Sequence, residues 1–285
     1  MQEASAALRL AAPAKLNLSL RVIGRRPDGF HELDGVMVLL ELADELMLTH
    51  GDGGVLVTGS NSDLPPAAGN LAWRGFAAAV GRIPRGSLSL TKRIPVSAGL
   101  GGGSSDAAAG WRLGRRRAGA AERPTAEELT ELAEIGADVP FFAAQTAVAR
   151  VTGIGELVEP TALPPGTDSE VVLAVAPFPL STASVFAELR EADWGGDDLG
   201  SNDLLAPARR IRPEIDDLVR LMVAAGADPH LSGSGPTLFA VLDDAERADA
   251  IASRLGRGRV STLRTRLRME PASIETVAVS MKVQQ

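Results

Sequence analysis

Residues 95–109 read Pro-Val-Ser-Ala-Gly-Leu-Gly-Gly-Gly-Ser-Ser-Asp-Ala-Ala-Ala, with Gly99, Gly101, Gly102 and Gly103 set around a single leucine. Glycine loses more backbone entropy than any other residue and buries no side chain, so this run suits a loop whose backbone must come close to something. Ser104, Ser105 and Asp106 follow, residue types that cap a helix start, and an alanine run comes next. Such a loop ends at a ring of backbone N–H groups without intrahelical acceptors, which is an anion site, most simply for a phosphate. A turn that merely allows a tight strand-to-helix connection would use the same glycines. The order of strand (residues 87–90), glycine loop and small-residue helix is that of a phosphate cradle. It is neither a Walker loop, since no Lys-Ser or Lys-Thr follows the last glycine, nor the usual dinucleotide fingerprint.

Three other stretches carry groups that could do chemistry. Leu16, Leu18, Leu20 and Val22 alternate with Lys15, Asn17, Ser19 and Arg21, which predicts a half-buried strand with Lys15 and Asn17 side by side on its polar face. That face is either wetted by solvent or turned toward a ligand's charge. Asp138 lies between the helix-ending Gly136 and the apolar run Val139-Pro-Phe-Phe142, where it could cap the next helix or be held rigidly in a cleft as a base. Pro27-Asp28-Gly29 predicts a turn that ends on Phe30 and His31, by residue type a core anchor and a surface histidine.

Composition bounds what these groups can serve. The 285 residues are 45% hydrophobic and 23% charged, as in a folded chain of one large domain or two smaller ones. There is no cysteine, which excludes disulfides and thiolate chemistry, and His31, His50 and His230 are too scattered to suggest a histidine metal site. A net charge of −7 argues against a broad nucleic-acid surface, although a few local donors and cations can still hold a small anion. The first ten residues show no basic segment before a long apolar core, and no apolar run is long enough for a bilayer; a cytoplasmic protein with no membrane segment is expected.

The elements that must position the site follow from periodicity and punctuation. Short strands are predicted at 36–40, 45–49 and 55–58, the last two as a hairpin across the turn 50–54, with His50 solvated at its tip. Asn70 should cap a helix reaching about Val80, with Trp73, Phe76 and Ala77 on its apolar face. The helix of residues 107–113 should pack closely on a sheet through its small side, its Arg115, Arg116 and Arg117 forming a solvated end favoured by the macrodipole. Thr125-Ala-Glu-Glu128 is a capping box for a helix reaching Ile135, and residues 148–151 and 156–159 form a hairpin. Residues 160–169, rich in proline and glycine, suggest a boundary between a unit of 1–160 and one of 161–285.

In the second unit, residues 171–176 are a buried strand, and 193–200 a polar loop. Asn202-Asp203 and Pro213 start two helices, the second ending at Gly226; Asp243 with Glu246 is a capping box. A second glycine loop, Ser232-Gly-Ser-Gly-Pro-Thr237, leads into a strand at 237–242, and 275–281 is the last strand. This order predicts a ferredoxin-like layer.

The glycine loop resembles the Pro-x-x-x-Gly-Leu-Gly-Ser-Ser signature of the GHMP kinases, and its long Gly-Leu-Gly-Gly-Gly-Ser-Ser form is closest to the 4-diphosphocytidyl-2-C-methyl-D-erythritol kinase branch. Four more segments are similar to that branch in the same order: Ala12-Pro-Ala-Lys-Leu-Asn-Leu18, Pro27-Asp-Gly-Phe-His31, Gly136-Ala-Asp-Val-Pro-Phe-Phe142 and Ser232 to Thr237. The resemblance implies an α+β, two-domain fold with a ribosomal protein S5 domain 2-like N-terminal half and a ferredoxin-like C-terminal half. It implies ATP held by Pro95, Val96, Ser97, Ala98, Gly99, Leu100, Gly101, Gly102, Gly103, Ser104 and Ser105, with Lys15 and Asp138 catalytic. The acceptor, a cytidine diphosphate derivative of methylerythritol, would be phosphorylated on its 2-hydroxyl. Asn17 and the pair Phe30 and His31 would hold it, with Phe186 the second face of a base sandwich opposite Phe30. The branch usually has tyrosine where this chain has Phe30, so a stacking face is kept and a hydroxyl is lost. Mg²⁺ is expected with the nucleotide, with no protein residue assigned as its ligand. A GHMP kinase for homoserine or mevalonate, or a non-catalytic nucleotide-binding protein of this fold, are the alternatives.

Overall fold

Two long strands carry the structure. The computed structural model describes residues 5–51, 53–59, 69–81, 86–163, 167, 169–195, 200–258 and 260–279. Strand β1 (Ser5–Arg25) keeps the predicted alternation, with Leu16, Leu18, Leu20 and Val22 all buried. After the turn at Pro27, β2 (His31–Thr49) runs back antiparallel beside it. The sequence predicts two short strands here and the structure has one. Asp44, in the gap between the two predicted strands, is fully buried and bonded to Lys92, and the strand runs on through it.

The outer edge of β2 takes three partners in turn: β5 (Val148–Gly153) beside residues 33–38, β10 (Ser261–Arg268) at Leu39 and Leu40, and β4 (Ser87–Lys92) beside residues 45–49. The expected hairpin of 45–49 with 55–58 does not form. Strand β4 lies between them, and β3 (Val55–Gly59) pairs with β4 in parallel. Burial explains the order, because β4 sends Leu88 and Leu90 into the core while Leu56 of β3 is 64% exposed, as suits an edge. The hairpin of β5 with β6 (Leu157–Pro160) is as predicted.

Beyond β10 come β7 (Glu170–Val175), β9 (Leu238–Leu242) and β8 (His230–Leu231), in the order β10-β7-β9-β8 and antiparallel throughout. Helices α5 (Thr182–Glu188), α6 (Leu205–Ile211) and α7 (Glu214–Ala225) link β7 to β8, and α8 (Ala245–Arg257) links β9 to β10. This is the ferredoxin-like order, with β8 and β10 as strands the sequence reading missed. Strand β11 (Glu275–Val279) returns to pair with β1; the rest of the expected last strand, and part of the loop 193–200, lie outside the described residues.

Helix starts follow the capping residues closely. Asn70 caps α1 (Leu71–Val80), its Oδ1 accepting from Ala72 N at 3.0 Å. The Thr125–Glu128 box opens α3 (Ala126–Ala133) with both bonds made. Helix α8 is capped by Asp244, not Asp243, because Asp244 is the residue whose carboxylate reaches the N–H groups of Glu246 and Arg247. The small side of α2 (Gly102–Arg117) packs on the sheet as expected, Ala107 and Ala108 sharing a buried cluster with Met37, Leu39, Ala149 and Val151, and it also meets α1: a Cβ on Gly110 would lie 2.1 Å from the carbonyl oxygen of Ala72. Its basic end is a surface network, with Arg115 over the Trp111 ring and bonded to Glu128 at 3.0 Å. Among the described residues no helix is long and apolar enough to cross a membrane.

The helix contact gives a stability test. Gly110→Ala forces the α1 and α2 backbones apart and should cost about 2–3 kcal/mol, whereas Gly256→Ala, in open space on α8, should stabilise by about 0.5 kcal/mol through helix propensity. Urea unfolding midpoints of the two variants should move in opposite directions.

Candidate active site

Strand β4 delivers the chain to the glycine loop, and α2 carries it away. The helix begins at Gly102, earlier than Ser104, Ser105 and Asp106 suggest, with Gly101 at the cap in the left-handed region (φ 70°) and no side-chain cap. Its ladder opens with Ser105 N–H on Gly101 O at 2.9 Å, which leaves the N–H groups of residues 102–104 at the helix end. They belong to a cavity of about 520 Å³ lined by residues 95–104 together with Asn70, Leu71, Lys92, Asp106 and Thr182. Of the residues expected around a nucleotide, Ser105 alone is withdrawn from this lining, at 1% exposure.

The loop is held from its sides. Gly99 (φ 75°) lies so close to the second glycine loop that a Cβ would sit 2.4 Å from Ser232 O, and Ser232 Oγ donates to Gly99 O at 2.9 Å. Asn202 Nδ2 in turn donates to Leu231 O at 2.9 Å and to Gly233 O at 2.8 Å, so the side chain expected to start a helix also braces this second loop. On the other side Lys15 N–H donates to Leu100 O at 3.0 Å, next to an irregularity in the β1–β2 register at Pro13 and Lys15.

That contact brings Lys15 into the site. The polar face of β1 is not wet: Lys15 and Asn17 are 3% and 4% exposed, covered by the two loops. Lys15 Nζ donates to Asn17 Oδ1 at 2.6 Å and lies 3.4 Å from Asp138 Oδ2. Asp138 stands at the cap position of α4 (Val139–Ala143), yet its side chain makes no cap bond; it is turned to Lys15 and stays partly exposed. Of the two uses the sequence allowed, the structure has the cleft carboxylate.

The predicted base site is partly assembled. His31 stacks on Phe186 with centroids 5.4 Å apart and planes at 25°, and Trp194 meets it edge-on at 6.5 Å. Phe30 is no core anchor: it is 58% exposed, and among the described residues its ring is not paired with Phe186. Burial, and then the charge of Arg25, hold His31 below its ordinary pKa, so its ring is neutral at neutral pH with one donor and one acceptor nitrogen.

Trp194, Asp44 and Lys92 were not singled out by sequence reasoning, and Asp106, read as a helix-start residue, is instead buried against Lys92. Lys92 and Asp106 flank the glycine loop in sequence, and charges at both ends of such a loop were the available signal.

The chain matches the models of the GHMP kinases N terminal domain at residues 70–146 and GHMP kinases C terminal at residues 185–260. It is 38% identical over 269 residues to a 4-diphosphocytidyl-2-C-methyl-D-erythritol kinase of Geobacter metallireducens, covering 87% of this chain and 94% of that one. The corresponding protein of Paramagnetospirillum magneticum is 38% identical over 272 residues, with coverage of 87% and 93%. Among solved structures, a 4-(cytidine 5'-diphospho)-2C-methyl-D-erythritol kinase superposes with a TM-score of 0.74 at 33% identity, over 91% of this chain and 98% of that chain. A homoserine kinase from Cytophaga hutchinsonii, at 17% identity and a TM-score of 0.66 over 97% and 99%, shares the fold.

Gly101 makes the loop testable. A Cβ there would lie 2.9 Å from Lys15 Cγ and from the Phe142 ring, in a backbone region that favours glycine. Gly101→Val should weaken binding of a non-hydrolysable ATP analogue about tenfold or more, while the folded protein still binds a cytidine diphosphate ligand; calorimetric titration with each ligand reads the split.

Proposed function

The chain belongs to the GHMP kinases, among the 4-diphosphocytidyl-2-C-methyl-D-erythritol kinases, and from that membership we infer how its residues share the work. It is a kinase that uses ATP to phosphorylate 4-diphosphocytidyl-2-C-methyl-D-erythritol, a step toward isoprenoid precursors. We place the transfer on the 2-hydroxyl of that acceptor. The observation that carries the site assignment is the turn of Asp138 away from its helix and toward buried Lys15, beside the loop whose N–H groups face the cavity.

Phosphoryl transfer asks for positioning, for charge stabilisation and for a group that takes the hydroxyl proton. The N–H groups of residues 102–104 receive the phosphates of ATP at a helix N-terminus. Asp138 accepts the proton of the acceptor hydroxyl as the oxygen attacks the γ-phosphorus, and the Lys15 ammonium steadies the negative charge that develops there. Asn17 holds the Lys15 head in place, so its part in acceptor binding includes orienting the lysine. Among the described residues there is no cluster of three His, Cys, Asp or Glu that could hold a metal, and Mg²⁺, expected with the nucleotide, is assigned no protein ligand. When bound, it neutralises charge on the β- and γ-phosphate oxygens.

At the acceptor's other end Phe30 offers an exposed face for the cytosine, and His31, steadied by Phe186, offers the donor and acceptor that read its edge. We keep the division at residue 160: strands β7 to β10 form one antiparallel layer after it, and the two family models fall on either side. A cytoplasmic location suits an enzyme that draws on ATP.

Two sets of variants test these roles. Asp138→Asn and Lys15→Ala should each bind ATP and lose about 10²-fold or more in turnover; near-normal turnover in either would remove that residue from the chemistry. Phe30→Ala should raise the acceptor KM by a factor matching about 1–3 kcal/mol of stacking while preference for cytidine over uridine diphosphate substrates survives. His31→Ala should erode that preference, and Phe30→Tyr should be tolerated; unchanged discrimination in His31→Ala would mean that the base is read elsewhere.

A further inference from the structure

Beneath the phosphate loop lies a buried cluster that the transfer chemistry does not use. Lys92, the last residue of β4, donates through Nζ to Asp106 Oδ2 at 2.7 Å and to Asp44 Oδ2. The three side chains are almost wholly buried. Asp44 Oδ1 accepts the N–H groups of Arg93 at 2.5 Å and Ile94 at 2.9 Å, the first residues of the loop. Asp106 lies in α2 just past its first turn, close behind the loop, and its Oδ1 is buried and accepts no hydrogen bond. Lys92 and Asp106 both line the cavity.

We propose that Asp44, Lys92 and Asp106 form a positioning device for ATP, tying the entry of the phosphate loop to its exit so that the N–H groups of residues 102–104 keep one spacing. This rests on the reading of residues 95–105 as the ATP site. Asp106 acts here as a positioning residue, through the loop.

The charge state of the cluster makes the proposal measurable. One ammonium serves two carboxyl groups in an apolar interior, and ionising both would set a net negative charge beside a triphosphate. Asp44 has three donors and Asp106 one, so the proton stays on Asp106. Burial, the largest cause, outweighs the opposing charge of Lys92, and with the charge of Asp44 adding to it the Asp106 carboxyl is pushed up to about 8. Lys92 is raised by Asp106 and Asp44 against its own burial and remains a cation. The charged groups that face Asp106 are Asp44 from β2 and Lys92 from β4; from α1 the polar neighbour at the cavity is the neutral Asn70. Farther along α2, Arg112 is engaged with Ala272 O and Glu122. As pH rises through the Asp106 pKa the cluster gains a negative charge and repels the phosphates.

The test is steady-state kinetics on the full chain, with titration of AMP-PNP as a readout free of turnover. Between about pH 7 and pH 9 the parent's KM for ATP should rise about tenfold, with the acceptor KM moving less than about twofold. In Asp106→Asn, which cannot ionise, the ratio of KM for ATP at the two pH values should fall to less than about twofold. Asp106→Ala, which loses the tether to Lys92, should raise KM for ATP about tenfold at neutral pH and show no alkaline rise. The same alkaline rise in Asp106→Asn as in the parent, or a parent with none, overturns the proposal. Should Asp106→Asn fail to fold, the parent's AMP-PNP affinity across this pH range decides alone. A folded parent that neither turns over ATP nor binds AMP-PNP would instead overturn the ATP reading of the loop, so the two failures are distinct.

Discussion

The first turn of α2 begins without a capping side chain, and the rest of the site depends on keeping its backbone donors aimed at the cavity. A serine or aspartate at the cap position would satisfy one of these N–H groups and withdraw it from a ligand. Here the cap is Gly101, which offers nothing. The donors must therefore be fixed by what surrounds the loop. Asp44 and Lys92 hold it from below, Ser232 from one side and the Lys15 N–H from the other. These supports come from β1, β2, β4 and the turn between β8 and β9, so a loop local in sequence is set by contacts across most of the chain.

The same contacts set the distance between donor and acceptor chemistry. Lys15 is bound to the loop through its backbone and to Asn17 and Asp138 through its side chain, so the residue proposed to steady the transferred charge cannot move independently of the glycine loop. With the proposed site, a chain of net charge −7 receives two polyanions locally. The attraction is not a surface field. It is made of a helix end and a buried lysine, where low dielectric makes each donor count for more than in water.

Much of this was legible in the sequence where a single residue type has one local job. Asn70, the Thr125–Glu128 box and the glycine run announce their elements because capping and left-handed turns are settled within a few residues. The alternation in β1 was legible too, but not the fate of its polar face, since burial of Lys15 and Asn17 is imposed by loops from far along the chain. The insertion of β4 between β2 and β3 was hidden for a related reason: a short turn suggests a hairpin, while the choice of inner strand is made by how much apolar surface each strand can bury. That one strand runs on through Asp44 was hidden too, because its partner, Lys92, is 48 residues away.

The proposed base site shows why residue identity and residue role separate. Phe186 was expected opposite Phe30, yet its ring lies directly against His31, which leaves no room for a base between those two rings. The stacking face left open is that of Phe30, on an exposed turn held by Asp28. Under the proposed roles, affinity and choice then fall to different residues, one exposed and one packed between rings. Stacking on a flat base needs no hydroxyl, so the role proposed for Phe30 asks only for its ring. Discrimination needs a polar edge that does not move, and the ring clamped between Phe186 and Trp194 is the one with nitrogen atoms to offer.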